Sequence, residues 1–298
     1  MIFSLGKIDI FLPDATSSYF FIVEDLAEIL KIETNYDALK QFRKILRNEI
    51  EKDLYKRIDF GQDSNEVVIR TTNALTILKI AVIINGVINV TISEEEMTEA
   101  EQKLLSHKRP KKQKWKVGDI FWLNLSNGTY GFGQVLWKPF GSPVCGLFDL
   151  NTETIPNVEE VSNHSFISVL TVLSSSLDKG DWKVIDNADV RIDVEKVPRQ
   201  HRGLDVAGSM SYSDDTLLEL ANAYYGLFPW NVFYEEDYFD NILLSPFKRP
   251  NIAKVLSSIE REEFRKEKSG IKNKMVAETT VLIFSLNKSI NSKFFIFL

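Results

Sequence analysis

The sequence predicts an α+β protein: a small N-terminal mixed α/β unit, then a β-rich unit built as a curved sheet or partly closed barrel with a helix packed on it. Three observations predict this. Over residues 1–106, apolar side chains recur mainly at helical spacing, between short strand-like runs. From 117 onward the pattern changes to short β-branched and aromatic runs punctuated by Gly, Asn and Ser. Between the two lies HKRPKKQKWK, residues 107–116, a basic stretch whose Pro110 disfavours helix on its N-terminal side. The expected organisation is therefore an N-terminal domain over 1–106, a basic linker over 107–116, a β-rich domain over 117–250, and a C-terminal helix and apolar tail over 251–298.

The opening MIFSLGKIDIFLPD reads as a strand. Lys7 and Asp9 interrupt the uninterrupted apolar run that a signal peptide needs, so a cytoplasmic protein is expected. Ile22, Leu26, Ile29 and Leu30 then recur at helical spacing. Ala38, Phe42, Ile45, Leu46, Ile50 and Leu54 predict a helix that begins near Asp37, capped by Thr34 or Asn35. EVVIR, 66–70, is a short strand, and Thr72 is placed to cap the apolar helix that follows. That run, 75–90, contains Lys79 and Asn85 and falls short of the roughly 20 residues that cross a bilayer, so it predicts a buried helix and not a membrane span. Ser93 and Glu96 have capping-box spacing for a charged helix to about Ser106.

In the second domain, WKVGDIFWLNLSNGTYGFGQVLW, 115–137, predicts a β-hairpin. Ile120, Trp122, Leu123 and Leu125 form one strand, Ser126, Asn127 and Gly128 tolerate a tight turn, and Tyr130, Phe132 and Val135 resume. Gly131 and Gly133 weaken a strand unless a bulge or a close approach requires residues without a Cβ. PVCGLFDL and SFISVLTVL read as further strands, separated by the polar TIPNVEEVSNH, and GDWKVI opens another after a turn at SSSLDKGD. Leu217, Leu218, Leu220, Ala221 and Tyr224 switch to helical spacing, with Ser213 or Asp214 as the cap and Gly226 after the end.

Gly118, Asp119, Ile120, Phe121, Gly128, Tyr130, Gly131, Phe132, Gly133 and Val135 resemble the opening strands of the immunity protein 26 family of bacterial polymorphic toxin systems. GLFPWNVFYEEDYFDNILL, 226–244, is a second patch of likeness, so the resemblance spans about 115–250. It implies that the chain neutralises a cognate toxin by binding it, and it brings no set of catalytic residues. Gln134 stands where the family carries an arginine-like residue, so a role for a cation there does not carry over.

Composition and charge agree with a protein that folds and binds. The chain is 44% hydrophobic and 26% charged, which places it among globular and not disordered sequences. Residues 117–250 carry 9 basic and 19 acidic side chains, whereas 251–298 carry 9 and 5. An acidic domain complements a partner with a basic surface, as a toxin nuclease would present around a phosphate-binding cleft. The expected recognition surface is the acidic aromatic stretch, with Trp230, Tyr234, Glu235, Glu236, Asp237, Tyr238 and Asp240 as partner-binding residues: carboxylates steer, aromatic rings anchor.

The remaining chemistry is sparse. Cys145 is the one cysteine and reads as a small buried side chain beside Val144 and Leu147. His107, His164 and His201 lack metal-ligand spacing, so neither metal nor cofactor is expected. There is no phosphate-binding glycine loop or GxSxG elbow. A hydrolase reading rests only on scattered carboxylates, Asp119, Asp149, Asp181 and Asp205, and on the Arg199, His201, Arg202, Asp205 cluster. A nucleic-acid adaptor reading rests on Lys108, Arg109, Lys111, Lys112, Lys114 and Lys116. Those cations bind phosphate without reading bases, so the preferred reading of the run is a solvated connector, or a strand entry that snorkels its lysine stems over the barrel. The chain is expected not to be an enzyme.

Overall fold

The N-terminal apolar run forms two strands, not one. In the computed structural model, which describes residues 1–138, 142–198 and 211–266, β1 (Ile2–Leu5) and β2 (Ile8–Phe11) pair antiparallel across a turn at Gly6 and Lys7. Gly6 supplies the turn's positive φ of 56°. The turn is pinned from a distance, because Asn85 accepts from the Lys7 N–H at 3.0 Å and donates to the Leu5 carbonyl at 2.8 Å. The buried Asn85 inside an apolar helix is thereby explained: it satisfies a hairpin that packs against it.

Among the described residues, contacts group 1–110 and 111–266 as two units. In the first, β3 (Phe20–Glu24), β4 (Asp59–Gln62) and β5 (Val67–Thr71) complete an antiparallel sheet of order β1-β2-β3-β5-β4. The helices are α1 (Leu26–Leu30), α2 (Asn35–Glu49), α3 (Lys52–Tyr55), α4 (Ala74–Val87) and α5 (Glu94–Ser106). Ile10, Ile22 and Ile69 of the sheet share a core with Phe42, Leu46, Ile77, Ile84 and Leu104.

Thr34 caps α2, accepting from the Asp37 N–H at 3.2 Å. The helix does not run on to Leu54. Ile50 is extended (φ −112°, ψ 136°), and the chain re-enters helix at α3. The helical spacing survives the break because Ile50 and Leu54 still turn toward the same core. Asn73, not Thr72, caps α4, accepting from the Thr76 N–H at 2.8 Å and from its hydroxyl at 3.0 Å. The Ser93–Glu96 capping box is present in both directions.

In the second unit β6 (Asp119–Asn124), β7 (Tyr130–Trp137), β8 (Val144–Thr152), β9 (Phe166–Thr171) and β10 (Lys183–Asn187) form an antiparallel sheet of order β10-β6-β7-β8-β9. β10 and β9 are opposite edges, so the sheet is open and not closed into a barrel. Register shifts interrupt β7 between Gly131 and Gly133 and again between Val135 and Trp137, β8 between Leu147 and Phe148, and β10 between Val184 and Asp186. Each adds local twist, which curves the sheet. The short helices α6 (Val158–Ser162) and α7 (Ser175–Lys179) fall in the two stretches read as polar connections. The longer α8 (Asp214–Tyr224), capped by Ser213, packs Leu217, Leu220 and Ala221 against Leu123, Val135 and Leu147 of the sheet.

Gly133 of β7 serves close packing. A Cβ on Gly133 would sit 2.5 Å from Phe121 Cζ and 2.8 Å from the Gly146 carbonyl. Phe121 cannot yield, since its ring stacks on Trp182 at 5.0 Å between centroids. Gly133→Ala is therefore expected to destabilise the protein by about 1–3 kcal/mol through overpacking. Urea unfolding checks this, and an unchanged midpoint would contradict it.

The basic stretch 107–116 is not a free connector. On the first unit, His107 Nε2 lies 2.7 Å from the Pro13 carbonyl oxygen, and Arg109 donates to the carbonyls of Asp14 and Ala15 at 2.7 and 3.1 Å. On the second, the Gln113 amide donates to the carbonyls of Leu177 and Trp182 at 2.8 and 2.9 Å and accepts from the Val184 N–H. The indole of Trp115 donates to Asp178 at 2.7 Å, and Lys112 pairs with the other oxygen of that carboxylate at 2.7 Å. The charge run concealed its two anchoring residues, Gln113 and Trp115. Asp178→Ala leaves the indole N–H without its acceptor and is expected to cost about 1–3 kcal/mol. A thermal scan tests this, and an unchanged Tm would show that the strap is held without Asp178.

Candidate functional site

The acidic aromatic stretch begins where α8 stops. Gly226 takes φ +73°, and the Leu227 N–H closes the helix end on the Asn222 carbonyl at 2.7 Å. The chain then dives into the core. Trp230 is fully buried, packs edge-on against Phe239 at 5.5 Å, and donates its indole N–H to Asp240 at 3.0 Å. Arg249 pairs with the same carboxylate and lies over the Trp230 ring at 5.7 Å. Phe233 rests on Phe239 and on Tyr238, at 5.1 and 4.3 Å between ring centroids. Tyr238 is half-buried, and burial pushes its phenol pKa up.

Between Phe233 and Tyr238 the loop turns outward. Tyr234, Glu235, Glu236 and Asp237 are consecutive exposed residues, and Tyr234 is 93% exposed. The Tyr238 N–H closes this tip on the Glu235 carbonyl at 3.2 Å, and the Asn241 N–H closes it on Asp237 at 3.0 Å. All seven residues singled out from the sequence thus share one loop, in two roles. Trp230, Tyr238 and Asp240 shape its interior, while Tyr234, Glu235, Glu236 and Asp237 form its surface.

The loop has supports that sequence reasoning missed. The Trp230 N–H donates to the Lys254 carbonyl at 2.7 Å, and Asn231 exchanges two 2.8 Å hydrogen bonds with the backbone of Leu256. A helix from 258 to 266 follows, opened by a reciprocal Ser257–Glu260 cap. From it Arg261 pairs with Glu236 and donates to the Phe233 carbonyl at 3.0 Å, while Arg265 donates to the carbonyls of Val232, at 2.8 Å, and Phe233. The one signal that pointed this way was the change of charge sign at 251. At the sheet edge, the Leu244 N–H reaches the Ile167 carbonyl at 2.8 Å and the Ser168 hydroxyl reaches that of Ile242 at 2.6 Å, so the loop's exit covers β9.

The decisive comparison concerns the sheet. Residues 116–210 match the family model for immunity protein 26. No curated protein and no solved structure matches the chain. The matched segment contains β6 through β10, whereas the acidic loop at 226–244 lies beyond it. Within the segment, the residues that carried the resemblance are architectural. Gly118 takes φ +91°, and the buried Asp119 accepts from the Lys116 N–H and from the Asn187 amide, each at 2.8 Å. Gln134, at the arginine-like position, is buried and donates to the carbonyls of Gly118 and Ala188 at 3.1 and 3.0 Å.

Cys145 is fully buried, and desolvation raises its thiol pKa, which keeps it un-ionised. His164 is exposed and lines a shallow cleft of about 430 Å³ with Gln134, Phe148, Phe166 and Arg191. The Arg199, His201, Arg202, Asp205 cluster lies outside the described residues. Among the described residues, no group of three or more His, Cys, Asp or Glu is placed to hold a metal ion, and no helix is long and apolar enough to cross a membrane.

Proposed function

We propose that this protein is a cytoplasmic immunity protein of a bacterial polymorphic toxin system, which binds its cognate toxin and neutralises it by stoichiometric occlusion, without turnover. The observation that carries the reading is the family match over 116–210. The recognition surface is the tip Tyr234–Asp237. Its carboxylates attract a partner with a basic surface, and Tyr234 offers a large ring already stripped of intramolecular cover. Trp230, Tyr238 and Asp240 belong to the same binding element as its scaffold.

The nucleic-acid reading loses two of its six cations to intramolecular partners, since Arg109 is spent on backbone carbonyls and Lys112 on Asp178. Co-expression with the toxin encoded by an adjacent gene tests the proposal. Cells should survive when the chain is present and die when it is absent. Death in both cases, with the chain expressed and soluble, would refute the pairing.

A further inference from the structure

The tip is held by residues far along the chain, and their geometry says what it is held for. Arg261 is 7% exposed, although its partner Glu236 is at the surface. Its guanidinium reaches the Phe233 carbonyl from beneath, and Arg265 grips the same carbonyl and that of Val232. These are the two carbonyls immediately before Tyr234. Two charged donors on consecutive peptide groups fix the direction in which the next side chain leaves the loop. That side chain is the most exposed large hydrophobic residue among the described ones. Burying an arginine to constrain a surface turn adds little to a core that Trp230 and Phe239 already fill. Its effect is to remove the conformational freedom that an exposed loop would otherwise lose on binding.

We infer that Arg261 and Arg265 are positioning residues that pre-organise Tyr234 as the anchor of the recognition surface, and that the partner offers an apolar pocket with a cationic rim. This rests on the proposed function. The ring of Tyr234 enters the pocket, and Glu235 and Asp237 meet the rim. Glu236 is reserved for Arg261 and contributes to presentation. The recognition element accordingly extends to residue 266, well past the segment that matches the family.

The test has an arm that needs no toxin. Hydrogen exchange of the full chain is measured for wild type, Arg261→Gln, Arg261→Lys and Arg265→Gln. The glutamine variants should speed exchange over 233–238 by about tenfold or more, the scale of losing a hydrogen bond to a charged group, with β6–β8 unchanged. Arg261→Lys keeps the pairing charge but not the fork and should fall between. The second arm measures Kd for the toxin that wild type neutralises. Tyr234→Ala and both glutamine variants should weaken binding by about tenfold or more, and Tyr234→Ala combined with Arg261→Gln should add little. Unchanged loop exchange overturns the positioning role. Faster exchange with unchanged Kd overturns presentation, and fully additive losses overturn the shared anchor. If wild type binds no toxin, the proposed function fails by itself, and the exchange arm still decides whether the arginines hold the loop.

Discussion

Replacing Glu235 and Asp237 by glutamine and asparagine is expected to slow toxin association about tenfold at low ionic strength and to flatten its dependence on salt. The two side chains are exposed at the tip, where attraction to a basic partner acts over a Debye length of about 10 Å at 0.1 M salt and is screened beyond it. Glu236→Gln should slow association too, because it removes a charge from the tip and leaves the Arg261 cation without its partner. Tyr234→Ala acts on the other half of the cycle: losing an anchoring ring should cost about 2 kcal/mol or more, seen as faster dissociation. Stopped-flow association across a salt series, with dissociation followed separately, resolves the two effects. Rates and salt slopes that match wild type in all three variants would remove the tip from the interface.

Trp230→Ala is expected to destabilise the protein by about 3–5 kcal/mol, the largest single effect in the second unit. The indole fills the space against Phe239 and satisfies Asp240, and its ring lies beneath Arg249. Removing it opens a cavity and takes one donor from a carboxylate that is only partly solvated. Binding would fall as well, through loss of the loop's shape and not through loss of a contact, since Trp230 has no exposed surface to offer. Asp240→Asn should be milder in stability, because the Trp230 ring keeps its packing against Phe239. Denaturant unfolding monitored by fluorescence checks the first expectation, and an unchanged midpoint would contradict it.

Local signals made much of this structure legible. The β6–β7 hairpin was announced by Ser126, Asn127 and Gly128, and Gly128 takes the positive φ of 86° that the turn needs. The Ser93 capping box and the Ser213 cap of α8 likewise involve residues within a turn of one another. What escaped was set by distant partners. The hairpin at 2–11 depends on Asn85, and the edge strand β4, with no apolar alternation of its own, is held by pairing to β5 and by the 2.8 Å Asp59–Arg70 ion pair. The break at Ile50 kept the helical spacing on both sides, so periodicity alone could not show it.

The same distinction divides the site. Composition and alternation located the acidic aromatic loop, yet could not tell Asp240 from Asp237 or Trp230 from Tyr234. Those differences come from Arg249, Arg261 and Arg265, whose positions in space the sequence does not display. The basic strap reads as solvated, and its six cations are indeed exposed; what charge density does not show is that Gln113 and Trp115 tie it to the fold.

The most direct test of neutralisation by occlusion is a titration of toxin activity with the purified chain, followed by recovery of the toxin. Occlusion predicts activity that falls linearly, reaches zero near one equivalent, and returns in full when the complex is dissociated. Inactivation by far less than one equivalent, or a toxin recovered chemically altered and inactive, would make the protein a catalyst and contradict the account.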